Sequence, residues 1–268
     1  MAAYRLGSVP YLNAEPLIWP LEKGKIENSH SLIRAAPGEL VEKLGKGEVD
    51  CALVSVAALF GNPKLVPLPD VAIASRGAVA SVILFHDSPL EELETIWLDP
   101  ASLTSNLLVQ ILRNPASDKP CKYIIPGKDE DAPSVDALPK NQGRLIIGDS
   151  ALAHSSERDS NVGTTDLGAL WKEKTNHPFV FARWFARNGD IAGDLAPLMR
   201  EARDWSLLHL HEMVDPLAKK YNFPVSLVDR YLRLNITYMY GPREEAGERE
   251  FFRLAKELGE RSKAGRDA

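Results

Sequence analysis

Short apolar runs alternate with polar turns along the first half of the chain, and their lengths predict strands and helices in alternation. A strand is expected over residues 4–9, then a loop and helix over 11–21 that passes through Pro16 and Pro20. A second strand is expected at 30–35. Pro37 then suits the first turn of a helix in which Leu40, Val41 and Leu44 recur at helical spacing, and Gly45 or Gly47 ends it. Residues 51–54 read as a buried strand, followed by a helix start at Ser55. Residues 65–68, 71–74 and 79–85 read as further strands, with Ser75, Arg76 and Gly77 as a crossing between lobes. This order predicts a parallel sheet with helices on its faces.

A second set of strands is expected at 95–98, 122–125, 145–147 and 179–184, with a helix over 103–112 and another after 147. Residues 114–142 are rich in proline, lysine and aspartate, which suits loops more than core. Beyond Arg187 the pattern is helical to the end. Leu195, Leu198, Ala202, Trp205 and Leu208 mark one apolar face, and Phe251, Leu254, Ala255 and Leu258 mark another. The expected organisation is a discontinuous α/β lobe of residues 1–78 and 186–268, carrying the C-terminal helices, and an inserted α/β lobe of residues 79–185. A cleft between such lobes is a common ligand site.

Composition narrows the function. The chain has 268 residues, 44% of them hydrophobic, with 32 Lys and Arg against 37 Asp and Glu, a net charge of −5. No basic field attracts nucleic acid, so none is expected as a partner. The longest apolar runs, 52–60 and 78–85, fall short of the ~18–20 residues that span a bilayer, and no membrane partner is expected. Arg5, Pro10, Asn13, Glu15 and Pro16 interrupt the N-terminal stretch, so no secretory signal is read there and a cytoplasmic location is expected. Cys51 and Cys121 are expected to stay reduced. Gly45-Lys46-Gly47 precedes a strand instead of following one, and no phosphate-cradling loop occurs. His209 and His211 are two residues apart on an expected helix and face different ways. No metal and no cofactor are expected.

Polar clusters follow the predicted strands, where loops and helix starts of α/β sheets converge on ligands. Tyr11 and Asn13 follow the first, Ser55 ends the third, and Asp149 follows residues 145–147. Ser102, Thr104 and Ser105 put hydroxyls at a helix start whose dipole favours an anion such as a carboxylate. Simple N-capping by Ser102 or Thr104 accounts for the same residues. An Asx-turn at Asn13, a cap or turn role for Asp149 and a core hydroxyl at Ser81 are the corresponding structural alternatives. Arg76 either faces a ligand acid or forms a surface or interlobe pair.

Taken together, the strings 7–17 (GSVPYLNAEPL), 47–55 (GEVDCALVS), 80–85 (ASVILF), 98–105 (LDPASLTS), 146–152 (IIGDSAL), 166–171 (DLGALW) and 178–184 (PFVFARW) resemble the chorismate dehydratase family of the futalosine route to menaquinone. The order of these strings covers nearly the whole chain. The resemblance implies a two-lobed type II periplasmic-binding-protein-like fold used as a cytoplasmic enzyme, a carbon–oxygen lyase, with a ligand cleft and no cofactor. Its small-molecule substrate would be chorismate and its product 3-[(1-carboxyvinyl)oxy]benzoate. The resemblance also implies catalytic roles for Asn13 and Ser81, and substrate contacts from Tyr11, Ser55, Ser102, Thr104, Ser105 and Asp149. The alternatives are 1,4-dihydroxy-6-naphthoate synthase of the same pathway and a non-catalytic small-anion-binding protein.

Overall fold

A computed structural model describes residues 3–113, 119–127, 131–156 and 162–264. The chain opens with β1 (Arg5–Ser8), a 3-10 turn (Leu12–Ala14), α1 (Glu15–Glu22), β2 (Ser31–Arg34), α2 (Pro37–Lys46), β3 (Cys51–Ser55), α3 (Ala58–Gly61) and β4 (Val66–Ser75). It continues with β5 (Val82–His86), β6 (Thr95–Trp97), α4 (Leu103–Arg113), β7 (Lys122–Ile124), β8 (Gln142–Ile147), α5 (Gly148–Ser156), β9 (Gly163–Asp166) and α6 (Leu167–Thr175). Then come β10 (Phe179–Ala186), α7 (Gly189–Leu208), α8 (Leu210–Tyr221), α9 (Val225–Arg230), a π-helical turn (Tyr231–Asn235), β11 (Thr237–Met239) and α10 (Pro242–Ala264).

These elements pack as two units. The first holds the chain up to Ala74 together with Val180–Gly241, and the second holds Ser75–Phe179 and the chain from Pro242 on. The first unit has a six-stranded sheet in the order β11-β4-β10-β3-β1-β2. Its β2, β1 and β3 run parallel, and β10 runs antiparallel to β3. Cys51, Ala52, Leu53 and Val54 are all at most 1% exposed, as a central strand covered on both faces requires. The second unit has a five-stranded sheet in the order β7-β6-β8-β5-β9, in which β6 is parallel to β7 and β8 while β5 is antiparallel to β8 and β9.

The division differs from the expected one in where the last helix goes. Residues 186–268 were expected to stay with the first lobe, but α10 packs in the second unit, whose inserted segment is 75–179 instead of 79–185. Aromatic packing is the reason: Phe179 meets Trp171 of α6 edge-on at 5.1 Å and Phe251 of α10 edge-on at 5.2 Å. The backbone closes the same joint. The Pro178 carbonyl accepts a hydrogen bond from Trp171 Nε1 at 3.0 Å, and α10 crosses it at Gly247, where any Cβ would collide with that oxygen.

Other expectations change locally. Residues 65–68 and 71–74 form one strand, β4, bent at Asp70 with φ 65°. Ser55 ends β3 instead of opening a helix, and the short α3 begins three residues later. The helical run after Arg187 is interrupted by β11, which pairs with β4. On α7 the buried face is Ile191, Leu195, Met199, Ala202 and Ser206, so Leu208 falls off it and is 75% exposed. His209 breaks the chain between α7 and α8, so the two histidines do not share one helix. Val135, expected in a loop, joins Ile83, Phe85, Ile146 and Ala151 in a core of the second unit. Residues 114–118 and 128–130 of the expected 114–142 loop lie outside the described residues.

Candidate active site

In the first unit the parallel strands β2, β1 and β3 end at a common edge, and Tyr11, Asn13 and Ser55 all sit there. Ala14 N–H donates to the Tyr11 carbonyl at 3.0 Å, closing the 3-10 turn that carries Asn13 into α1. The Asx-turn alternative fails, because Asn13 Oδ1 is buried and accepts no hydrogen bond among the described residues. A buried acceptor without a donor is costly, and Asn13 Oδ1 shares that state with several other side-chain atoms among the described residues. Ser55 is half-buried, and the next N–H, of Val56, donates to the Phe181 carbonyl at 3.1 Å, fixing the β3 end against β10.

Two residues beyond Asn13, Glu15 is fully buried. Arg34 grips its carboxylate with both Nη atoms, at 2.9 and 3.1 Å, Lys220 Nζ donates at 2.7 Å, and Tyr221 donates its hydroxyl. Burial pushes the Glu15 carboxyl up, but the hydrogen bonds from Lys220, Tyr221 and Arg34 outweigh it and hold the group below its ordinary value. The same web fixes the start of α1 and therefore the turn before it.

In the second unit β6, β8 and β9 end at the edge where β5 begins, because β5 runs antiparallel to β8 and β9. Ser81, Asp149 and the segment 99–105 meet at that edge, and α4, α5 and α6 all start there. Three helix N-termini lie along this edge, that of α6 already capped by the Asp166 carboxylate and that of α4 by Ser102 Oγ. Ser81 is buried, and its carbonyl accepts from Gly148 N–H at 2.7 Å, so it is seated beside the turn that carries Asp149. Asp149 lies in the first turn of α5. The capping alternative holds for Ser102: its Oγ accepts from Ser105 N–H at 3.1 Å and donates to Ser105 Oγ at 2.9 Å. Thr104 is buried one turn position earlier than Ser105. Arg76 pairs with Glu244 of α10 at 3.0 Å, within its own unit.

Three carboxylates that sequence reasoning did not assign organise these edges. Glu15 is one. Asp99 accepts from Ala101 N–H at 2.9 Å and from Ile147 N–H at 3.1 Å, which ties the end of β6 to the end of β8. Burial lifts its carboxyl above the ordinary value, against the pull of those two N–H groups. Asp166 accepts from Val79, Ala80 and Ala169 N–H groups. Asp166 stands just before a helix start, the local signal for a capping acid, and Asp99 lies in the turn before α4, but their long-range partners have no signature nearby in sequence. Among the described residues no group of three or more His, Cys, Asp or Glu side chains is placed to share a metal ion, and no helix is long and apolar enough to cross a membrane.

Two mixed α/β units with helix starts at their strand ends define a periplasmic-binding-protein-like fold. The periplasmic aliphatic sulphonate binding protein SsuA from Escherichia coli has the same fold, with a TM-score of 0.62 at 18% identity over 97% of this chain and 87% of that one. A family profile described as menaquinone biosynthesis matches residues 4–257. A chorismate dehydratase of Thermus thermophilus is 32% identical over 248 residues, 87% of this chain and 88% of that protein. A chorismate dehydratase of Campylobacter jejuni is 28% identical over 182 residues, 66% of this chain and 65% of that protein. The chain belongs to the chorismate dehydratase family of menaquinone biosynthesis.

Proposed function

We propose that this protein is a hydro-lyase that removes water from chorismate in the cytoplasm, giving 3-[(1-carboxyvinyl)oxy]benzoate. The observation that carries the reading is the 32% identity to a chorismate dehydratase across 87% of the chain. In the reaction the ring C3–H and C4–O bonds break, and the proton and the hydroxyl leave as water. The C–H electron pair completes an aromatic ring, which supplies the driving force. The C3 proton is vinylogous to the ring carboxylate, so charge developing in the transition state spreads into that acid, where hydrogen-bond donors stabilise it.

Asn13 and Ser81 act on the reacting ring in this reading. The unpartnered Asn13 Oδ1 supports its part, since a substrate hydroxyl would satisfy it and be oriented for departure. A neutral amide is too weak a base to take the C3 proton, which passes to a substrate carboxylate or a bound water. Ser81 hydrogen-bonds the departing hydroxyl. Ser102, Thr104 and Ser105 form the carboxylate subsite at the start of α4, Ser102 by orienting the Ser105 hydroxyl to which it donates, and Tyr11, Ser55 and Asp149 supply further contacts.

The test is incubation of the purified protein with chorismate and identification of the product by mass spectrometry. Asn13→Ala and Ser81→Ala are each expected to lower kcat by at least ~10-fold, the low end for an oriented polar group, at unchanged thermal stability. Wild-type turnover in both variants removes them from the reaction. Turnover of cyclic dehypoxanthine futalosine in place of chorismate assigns the chain to the naphthoate synthase reaction, and tight chorismate binding without product leaves a binding protein.

A further inference from the structure

We propose that Asp166 is a positioning residue for Ser81, its carboxylate holding the left-handed turn at Ala80 that sets where Ser81 lies. The inference rests on the catalytic role proposed for Ser81. Ala80 has φ 62°, a region that alanine avoids and glycine favours. The Val79 N–H donates to Asp166 Oδ1 at 3.1 Å and the Ala80 N–H donates to Oδ2 at 2.7 Å. Successive N–H groups converge on one anion when the backbone passes into the left-handed region, so carboxylate and turn stabilise each other. On the far side, the Ser81 carbonyl accepts from Gly148 N–H at 2.7 Å. Ser81 is thus held between the carboxylate, which grips the N–H of the residue before it, and the β8–α5 corner, which grips its own carbonyl.

The carboxylate is itself fixed. Asp166 Oδ1 also accepts from Ala169 N–H at 2.9 Å, capping α6. The segment before Ser81 lies directly on the first turn of that helix: a Cβ at Gly168 would come 2.6 Å from the Gly77 carbonyl oxygen and 2.7 Å from Ser75 Oγ. Capping alone does not account for the arrangement, because an asparagine caps a helix as well as an aspartate does. The second oxygen, which takes the Ala80 N–H, is what asparagine cannot supply, since its amide nitrogen donates.

Asp166→Asn separates the two roles. Chorismate turnover is expected to fall about 100-fold in kcat, the scale of a misplacement near 1 Å, with KM changed less than about threefold and with the protein still folded, its Tm lowered by the loss of the Ala80 hydrogen bond. Adding Ala80→Gly, which adopts positive φ without strain, is expected to restore about 10-fold of the lost kcat. A residue that merely caps α6 gives neither the kcat loss nor the rescue by glycine at position 80. An Asp166→Asn enzyme within about twofold of wild-type kcat overturns the inference, as does the same loss with no glycine rescue. If Asp166→Asn does not fold, Ala80→Val strains the same turn with the carboxylate intact; about a 10-fold kcat loss supports the inference and an unchanged kcat overturns it. Ser81→Ala distinguishes the two levels. Wild-type turnover in Ser81→Ala removes the catalytic reading itself, whereas loss there with full activity in Asp166→Asn removes only the positioning role.

Discussion

Two residues past Asn13 a buried carboxylate gathers side-chain donors, while around Ser81 a carboxylate gathers main-chain N–H groups. Glu15 is held by Arg34, Lys220 and Tyr221, the last two more than 200 residues away in sequence. Asp166 is held by Val79, Ala80 and Ala169 N–H groups. The first arrangement sets a fully buried carboxylate against cations that reach solvent, so removing a cation leaves the buried acid short of counter-charge. The second sets a charged acceptor against neutral donors, so removing the charge costs hydrogen bonds and a backbone conformation but leaves no uncompensated ion. Anchorage of the Asn13 turn is therefore chiefly a matter of stability, and anchorage of the Ser81 turn chiefly one of geometry.

The sharpest way to break the comparison is Glu15→Ala. It removes the acceptor of Tyr221 and Lys220 and leaves Arg34 paired with Glu22 alone, and is expected to destabilise the protein by about 1–3 kcal/mol in chemical denaturation. A loss below about 1 kcal/mol would mean that the web is no more than a surface pair.

Acid gives a gentler handle on the same contrast. Because the folded Glu15 carboxyl lies below its ordinary value of 4.5, its contribution to stability is fully present above that pH and is lost as pH falls through the lower folded value. Glu15→Gln is expected to lower stability near neutrality and to flatten the fall of Tm below about pH 4.5. The fall should not vanish, since Arg5 holds Asp50 of the same unit well below the usual carboxylate range. An acid limb as steep in Glu15→Gln as in the wild type would remove Glu15 as its source.

The smallest effect belongs to the neutral caps of the second unit. Ser102→Ala removes the hydroxyl that accepts the Ser105 N–H and is expected to cost about 1 kcal/mol in thermal or chemical denaturation, with no change in the acid limb. A cost of several kcal/mol would show that this edge, too, depends on more than local capping.

Much of this was legible in the chain. The apolar run 51–54 becomes the central strand β3, Gly47 ends α2 in the left-handed conformation, and the serine at 102 caps the helix after it. Each rests on forces acting within a few residues: burial of consecutive apolar side chains, positive φ at glycine, a hydroxyl three residues from an N–H. The misread parts depend on distant partners. Val135 looks like loop among prolines and aspartates until β5, β8 and α5 supply a face to cover it. Leu208 continues an apolar pattern, but the helix turns it away from the neighbours that bury Leu195 and Met199. The last helix carries an apolar stripe that names no partner, and Phe179 against Phe251, Pro178 against Gly247 and Arg76 against Glu244 assign it to the second unit.

By itself, then, the sequence determined the alternation of strands and helices, the polar tips that follow the strands, and the family to which their order belongs. Tertiary structure alone decided which acid each tip depends on. Asp166 meets Ala80 across 86 residues and Glu15 meets Lys220 across 205. Local propensity reaches a turn or two along the chain. A hydrogen bond between segments so far apart forms only where packed sheets and helices have already brought them together, and no spacing in the chain encodes that distance.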